Sequence, residues 1–445
     1  MFLRQIGQKL KIPTTSRTIN ASGMLVMPGG IDPHVHLKLP TLNINSVDDF
    51  YAGTKAALSG GTTMIIDSVT PAKNESLIAA YERYRSWADP NVACDYGLSM
   101  VVREFDDRVK LEMSQVVQNK GVNSFKFYMA YVGDLQVTDR QLYQGFLQCK
   151  DCGALARVHA EVGDLIHEKQ KELISQGITG PEGHIQSRPE EYQTEATSRA
   201  CLLAKEANCP LYIVHVMSKG AADAIGNARK IVGYTACSFL SFFLILCTMV
   251  FGEAVGSGLS GVNGSKIFDP MFRTAAAHVM SPPISLDGST SKYLMDSLAA
   301  GQLHTTASDH AVFDSRQKAL GKNDFTKIPN GVNGVEERMM LVWDKGVNTG
   351  IIDPMRFVAI TSANAAKLFN LYPKKGRIAL NSDADIVIWN PREKKTFSAF
   401  SHQSNSDFNI FDGITVMGSP YVTISRGRIV FADNKVLNLV IACFL

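Results

Sequence analysis

Between residues 45 and 310 the chain keeps switching between two hydrophobic periods, and this alternation limits its fold more than any other feature. Short apolar runs at Thr62–Asp67, Tyr96–Val102, Ser124–Met129, Leu155–His159 and Leu211–Val216 read as strands. Before the first of them Val47–Leu58, and between them Ser76–Trp87, Val109–Val117, Arg140–Lys150 and Glu190–Ala207, carry helical spacing. Strands that alternate with helices form a parallel sheet with helices packed on it. The number of repeats predicts an α/β fold, a closed (β/α)8 TIM-like barrel, rather than a six-stranded open sheet. A chain of 445 residues has room for such a barrel and a satellite. The texture changes after about residue 375. Arg377–Leu380, Ala384–Trp389, Tyr421–Ser425 and Arg428–Phe431 read as short strands separated by turns, hence a small β-domain.

Several function classes fall away at this level. The net charge of +3 gives no electrostatic case for nucleic acid. Gly256-Ser257-Gly258-Leu259-Ser260-Gly261 matches a dinucleotide-binding pattern, but Val262-Asn263-Gly264 stands where its helix should begin, so the match is a decoy. The eight cysteines are irregularly spaced and make no disulfide framework. Cys149 and Cys152 lie in a helical pattern and read as packing residues. Met1–Gln5 lacks the apolar core of a signal peptide, which leaves a reducing cytoplasm as the expected compartment. One stretch runs against this picture. Ile231–Gly252 has no charged residue, and by length alone it qualifies as a membrane span. A span there would leave from inside a barrel, between a helix and a strand, so an apolar insertion is the better reading.

Gly30-Ile31-Asp32-Pro33-His34-Val35-His36 follows an apolar run, and on extended backbone residues i and i+2 share a face. His34 and His36 can thus present two imidazoles to one divalent cation. In a barrel, side chains at the C-terminal strand ends converge on one mouth. Reading strand ends alone adds Lys126, His159, His215 and Asp309. Imidazoles and a carboxylate together suit a catalytic zinc site with open coordination. A lysine ammonium has three donors and no acceptor, so Lys126 can ligate a cation only after conversion to a carbamate, an anion with two oxygens that could bridge two metals.

The H-x-H pair followed by Lys, His, His and Asp resembles the ligand set of the amidohydrolase superfamily. Local wording resembles its dihydropyrimidinase family: Gly121–Lys126, Ile178–His184, Tyr212–Lys219, Asp324–Gly331, Ser362–Lys367 and Ser382–Trp389. The resemblance covers about residues 20–435 with one interruption. It implies two Zn²⁺ per subunit, held by His34, His36, N6-carboxylated Lys126, His159, His215 and Asp309. It makes Asp309 the proton carrier and Tyr131 the donor to the oxyanion, and it places Ser281 and Asn330 against the ring amide, largely through backbone atoms. The implied substrates are small cyclic amides, 5,6-dihydrouracil and dihydrothymine, opened to N-carbamoyl-β-amino acids in pyrimidine breakdown. The implied assembly is a homotetramer. Collapsin response mediator proteins, which bind the cytoskeleton without catalysis, share much of this wording but lack most of the ligands, whereas all six are kept here.

The resemblance also divides the chain. The β-domain is expected to be a small β-sandwich built from both chain ends, with residues 1–26 the remnant of its N-terminal part, whose first strands are missing. Residues 27–372 are expected to form the barrel, 373–435 the C-terminal part of the β-domain and 436–445 an atypical tail. About seventeen extra residues, near 232–248, interrupt the barrel as an insertion or a translated intron fragment, which raises the alternative of an inactive product. Val162 stands where the family usually has Asn.

Overall fold

A computed structural model describes residues 1–11, 13, 17–235 and 249–437. Its strands are β1 (Leu25–Pro28), β2 (Gly30–Val35), β3 (Pro40–Thr41), β4 (Ile44–Asn45), β5 (Thr62–Val69), β6 (Asp95–Val102), β7 (Ser124–Tyr128) and β8 (Leu155–His159). They continue as β9 (Leu211–Ile213), β10 (Val250–Val255), β11 (Thr305–Ala307), β12 (Ile386–Thr396), β13 (Thr415–Ser425), β14 (Arg428–Ala432) and β15 (Lys435–Val436). Eight of them run β2-β5-β6-β7-β8-β9-β10-β11 in one parallel sheet. The ends meet just past β2 and β11, where Asp309 N donates to His34 O (2.9 Å) and His36 N to His310 O (2.9 Å). The chain is a (β/α)8 barrel with an antiparallel β layer built from both chain ends.

Local chemistry sets these elements. Every residue of β5 and β6 is buried, as a sheet covered on both faces requires. The helix Asp139–Cys152 starts in a capping box of Thr138 and Gln141 and stops at Gly153 in left-handed backbone (φ 71°). Cys149 is buried and Cys152 partly buried on that helix, both as free thiols. The decoy glycines form only a four-residue turn, Gly256–Leu259, after β10.

Two strand expectations need correction. Leu211–Val216 is a strand only as far as Ile213, because the His215 amide leaves the ladder to donate to the Glu253 carboxylate (3.1 Å). Arg377–Leu380 is not a strand. Its segment folds back on itself, with Asp383 N bonded to Lys374 O (2.9 Å) and Ser382 Oγ to Pro373 O (2.9 Å). The core of the apolar insertion and the final eight residues, 438–445, lie outside the described residues. On either side of the insertion the helix Lys219–Thr235 and strand β10 take their places in the barrel. Among the described residues no helix is long and apolar enough to cross a membrane.

The β layer follows the order β1-β12-β13-β14-β15. It is riveted to the barrel by one buried ammonium. Lys375 Nζ reaches Asp95 Oδ2 (2.7 Å) at the start of β6, Asp383 Oδ2 (3.1 Å) and Asp385, and Arg426 Nε reaches Asp95 Oδ2 (2.8 Å). Although burial works against it, Asp385 and Asp95 hold the Lys375 pKa above its ordinary value. The three carboxylates could gather round a metal ion, but Lys375 already fills their centre. Lys375→Met would strand these carboxylates in the interior. It should lower unfolding stability by about 3–5 kcal/mol, read as a reduced urea midpoint at constant m-value; an unchanged midpoint would contradict the rivet.

Candidate metal centre

The barrel mouth brings the strand-end residues together. His34 Nε2 and His36 Nε2 are 3.2 Å apart, and Asp309 Oδ1 lies 3.2 Å from the first and 3.3 Å from the second. Ligand atoms held at about 2.0–2.1 Å by one tetrahedral cation stand roughly 3.3 Å from each other, so these three already have the mutual spacing of a ligand set. Lys126 Nζ joins them at 2.5 Å from His34 Nε2 and 3.2 Å from His36 Nε2. The His159 and His215 rings pack edge to face with centroids 4.5 Å apart, and His215 is 5.5 Å from His34. Among the described residues His36 Nδ1 and His215 Nδ1 are buried without a hydrogen-bond partner. The donor set fits a divalent metal centre.

Carboxylates behind the rings orient them. His34 Nδ1 is 2.5 Å from Glu253 Oε1, which leaves Nε2 to face the site. His159 Nε2 is 2.6 Å from Glu161 Oε2, which leaves Nδ1 free. Glu253 also accepts from the Tyr212 hydroxyl (2.6 Å) and the His215 amide (3.1 Å). Burial opposes charge throughout this centre. It lowers His34 and His215 well below the ordinary imidazole range and His36 to about 4, with the Lys126 cation adding to each. The imidazoles are therefore neutral near pH 7, as metal ligation requires. Burial also brings Lys126 down to about 7, which makes the free amine accessible near neutral pH. Glu161 is carried the other way, to about 2, because Arg188 and His159 outweigh its burial.

Above the centre opens a cavity of about 510 Å³. His36, Lys126, Tyr131, His159, His215, Ser281, Asp309 and Asn330 all line it, while His34 lies buried beneath. The volume suits a small organic ligand. Tyr131, His215 and Asp309 hold left-handed backbone (φ 72°, 35° and 52°), an arrangement non-glycine residues adopt at a cost and mostly at functional sites. Burial raises the Tyr131 phenol, and Arg188, Ser281 and Asn330 oppose that rise.

Sequence reasoning passed over Glu253, Glu161 and Tyr212. Glu161 carries the same i, i+2 signal as the His34–His36 pair, since it follows His159 by two. Glu253 is the one charge in the apolar run of β10, and an isolated carboxylate in a buried strand always needs a partner.

A family model described as the amidohydrolase family matches residues 25–430. "Dihydropyrimidinase 2" of Caenorhabditis elegans is 56% identical over 418 residues, covering 94% of this chain and 77% of its own. The dihydropyrimidinase of Rattus norvegicus is 53% identical over 433 residues, covering 96% of this chain and 80% of its own. Among solved structures, a dihydropyrimidinase from Brevibacillus agri superposes with a TM-score of 0.92 at 38% identity, over 98% of this chain and 91% of that one.

Glu253→Gln removes the anion behind His34 while keeping its size. It should weaken divalent-metal binding by about 10–100-fold, measured by competition against a chelator, with little change in far-UV circular dichroism. Wild-type metal affinity in that variant would count against an orienting role for Glu253.

Proposed function

The chain belongs to the amidohydrolase family and is a cyclic amide hydrolase of the dihydropyrimidinase kind, and from that premise we propose that it opens the ring of 5,6-dihydrouracil and dihydrothymine to N-carbamoyl-β-amino acids. The observation that carries this reading is the cluster of His34, His36, Asp309 and Lys126 within 2.5–3.3 Å contacts at the floor of a cavity of about 510 Å³. Two zinc ions would be held there by His34, His36, His159, His215, Asp309 and Lys126. Bound, they would acidify water and polarise the ring carbonyl.

As a carbamate, Lys126 would offer its oxygens to hold them. The ammonium first loses one proton; the free amine nitrogen then bonds to the carbon of CO₂, a C–O π pair moves onto oxygen, and a second proton leaves the nitrogen for solvent in the cavity, so that a buried cation becomes a buried anion among neutral imidazoles. The lowered pKa of Lys126 supports this step because only the free amine is a nucleophile.

The remaining chemistry belongs to the side chains. Asp309 takes a proton from the attacking water and delivers it to the ring nitrogen as the C–N bond breaks, so the leaving group departs neutral. Tyr131 donates its phenolic hydrogen to the carbonyl oxygen as negative charge builds there. Its high pKa keeps it protonated for that task. Ser281 and Asn330 hold the amide edge of the ring. The retention of all six ligand positions weighs against a purely structural, cytoskeleton-binding role. We take the assembly to be a homotetramer, to be tested by sedimentation.

Asp309→Ala should leave a folded chain whose ring-opening kcat is lower by about 10³-fold or more, and Tyr131→Phe should lose about 10²–10³-fold. Loss of dihydrouracil absorbance gives the rate, and elemental analysis should find two zinc per chain. Wild-type turnover by the Asp309 variant would remove it from the reaction, and a zinc-loaded wild type that leaves dihydrouracil intact would favour the inactive-product alternative.

A further inference from the structure

Ser281 and Asn330 come from loops that are distant in the chain, yet both must meet one small rigid ring. The residue between them is Lys318. It ends the short helix Ser315–Lys318, whose start is fixed by a capping box of Asp314 and Gln317. Its side chain is buried, with 1% of the residue exposed. In place of a carboxylate, Nζ meets three main-chain carbonyls: Val279 O at 2.9 Å, Pro329 O at 2.7 Å and Gly331 O at 2.9 Å. Burial lowers its pKa to about 7, and the three carbonyls match the three N–H donors of the charged form, in which all are used and none is left for solvent or substrate.

The placement of those carbonyls is informative. Val279 is two residues before Ser281, and Pro329 and Gly331 flank Asn330. The two loops also bond directly, Gly331 N to Val279 O at 3.0 Å. His184 Nε2 secures the first loop from its other side through Met280 O (2.8 Å). Gly331 holds φ +145°, and a Cβ there would stand 2.2 Å from Ala311 O, so only glycine permits this approach.

We propose that Lys318 is a positioning residue for substrate: its buried side-chain nitrogen pins the loops bearing Ser281 and Asn330 at the separation that the amide edge of the ring spans, and so sets affinity for the ring rather than the rate of its opening. The proposal rests on the reading of Ser281 and Asn330 as contacts to the ring amide. Polarisation adds to position. The Pro329 carbonyl shares a peptide group with the Asn330 N–H, so a cation on that oxygen makes the N–H a stronger donor. Lys318 itself does not line the cavity, and none of its three bonds goes to a metal ligand.

The test uses the metal-loaded enzyme with dihydrouracil as the probe. Lys318→Met, with no donor, should raise KM by about tenfold or more, with kcat within about threefold of wild type and bound zinc unchanged. Lys318→Gln, which keeps two amide donors, should fall between the two. If the Met variant does not fold, the Gln variant carries the test. In either variant amide hydrogen exchange should speed up locally over residues 279–281 and 329–331, including the Gly331 amide. A wild-type KM with wild-type exchange overturns the proposal, and so does a fall in kcat accompanied by loss of zinc, which would mark Lys318 as a general support of the fold. Should the wild type leave dihydrouracil unopened, the reading of the site fails, and hydrogen exchange alone then decides the clamp: faster exchange confined to the two loops upholds it, and unchanged exchange refutes it.

Discussion

The centre depends on one buried carboxylate. Glu253 Oε1 sits 2.5 Å from His34 Nδ1 and 3.1 Å from the His215 amide, while its other oxygen takes the Tyr212 hydroxyl at 2.6 Å. Tyr212 in turn shares a 2.6 Å contact with Thr305 Oγ1. A single side chain on β10 thereby fixes a ring at the end of β2, the turn after β9 and, through Tyr212, the start of β11. A carboxylate this deep is costly on its own, and burial raises its pKa to about 7. Its partners are the compensation, and a cation across His34 would add to it by drawing the Nδ1–H toward the anion.

The same economy explains the backbone strain around the cavity. Left-handed backbone at a non-glycine residue costs about 1–3 kcal/mol and persists only where neighbours over-determine it. Asp309 is held by its amide on His34 O at 2.9 Å, the bond that also closes the barrel. His215 is held by its amide on Glu253. Tyr131 is held by its carbonyl, which accepts from the amides of Asp134, Leu135 and Gln136 at 3.0, 3.0 and 3.2 Å. Each strained residue thus turns its side chain inward because a main-chain bond elsewhere gives it no other option. Loss of the ladder after Ile213 and after Ala307 is the visible consequence.

What could be read from the residues alone follows from this division. Periodicity is a local property, so the barrel strands and helices were legible, with Leu155–His159 and Glu190–Ala207 at the very bounds observed. Strand-end residues were legible because a barrel has only one mouth. The Arg377–Leu380 segment was misread since its apolar alternation is overridden by Lys375 and Pro373, whose partners lie outside any short window. Glu253 and Lys318 were legible only in part for a related reason. The lone Glu in an apolar strand signals that it needs a partner, and the Lys ending a short helix signals nothing, but which imidazole or carbonyls meet them is decided by distant parts of the chain.

Three buried lysines show how surroundings decide what one functional group does. Lys375 is ringed by carboxylates, which hold it charged and make it a rivet between barrel and β layer. Burial lowers Lys318 to about 7 as it does Lys126, but Lys318 meets only carbonyl oxygens, three neutral acceptors that engage its donors away from the cavity and fix its neighbours. Lys126 meets imidazole nitrogens beside a carboxylate, and burial lowers its pKa to about 7. Of the three it alone faces the open cavity, where a small electrophile can reach it. The proposed carbamate is therefore a property of the niche: the same amine among anions stays an ion, among carbonyls becomes a clamp, and beside neutral bases at a cavity floor becomes a nucleophile.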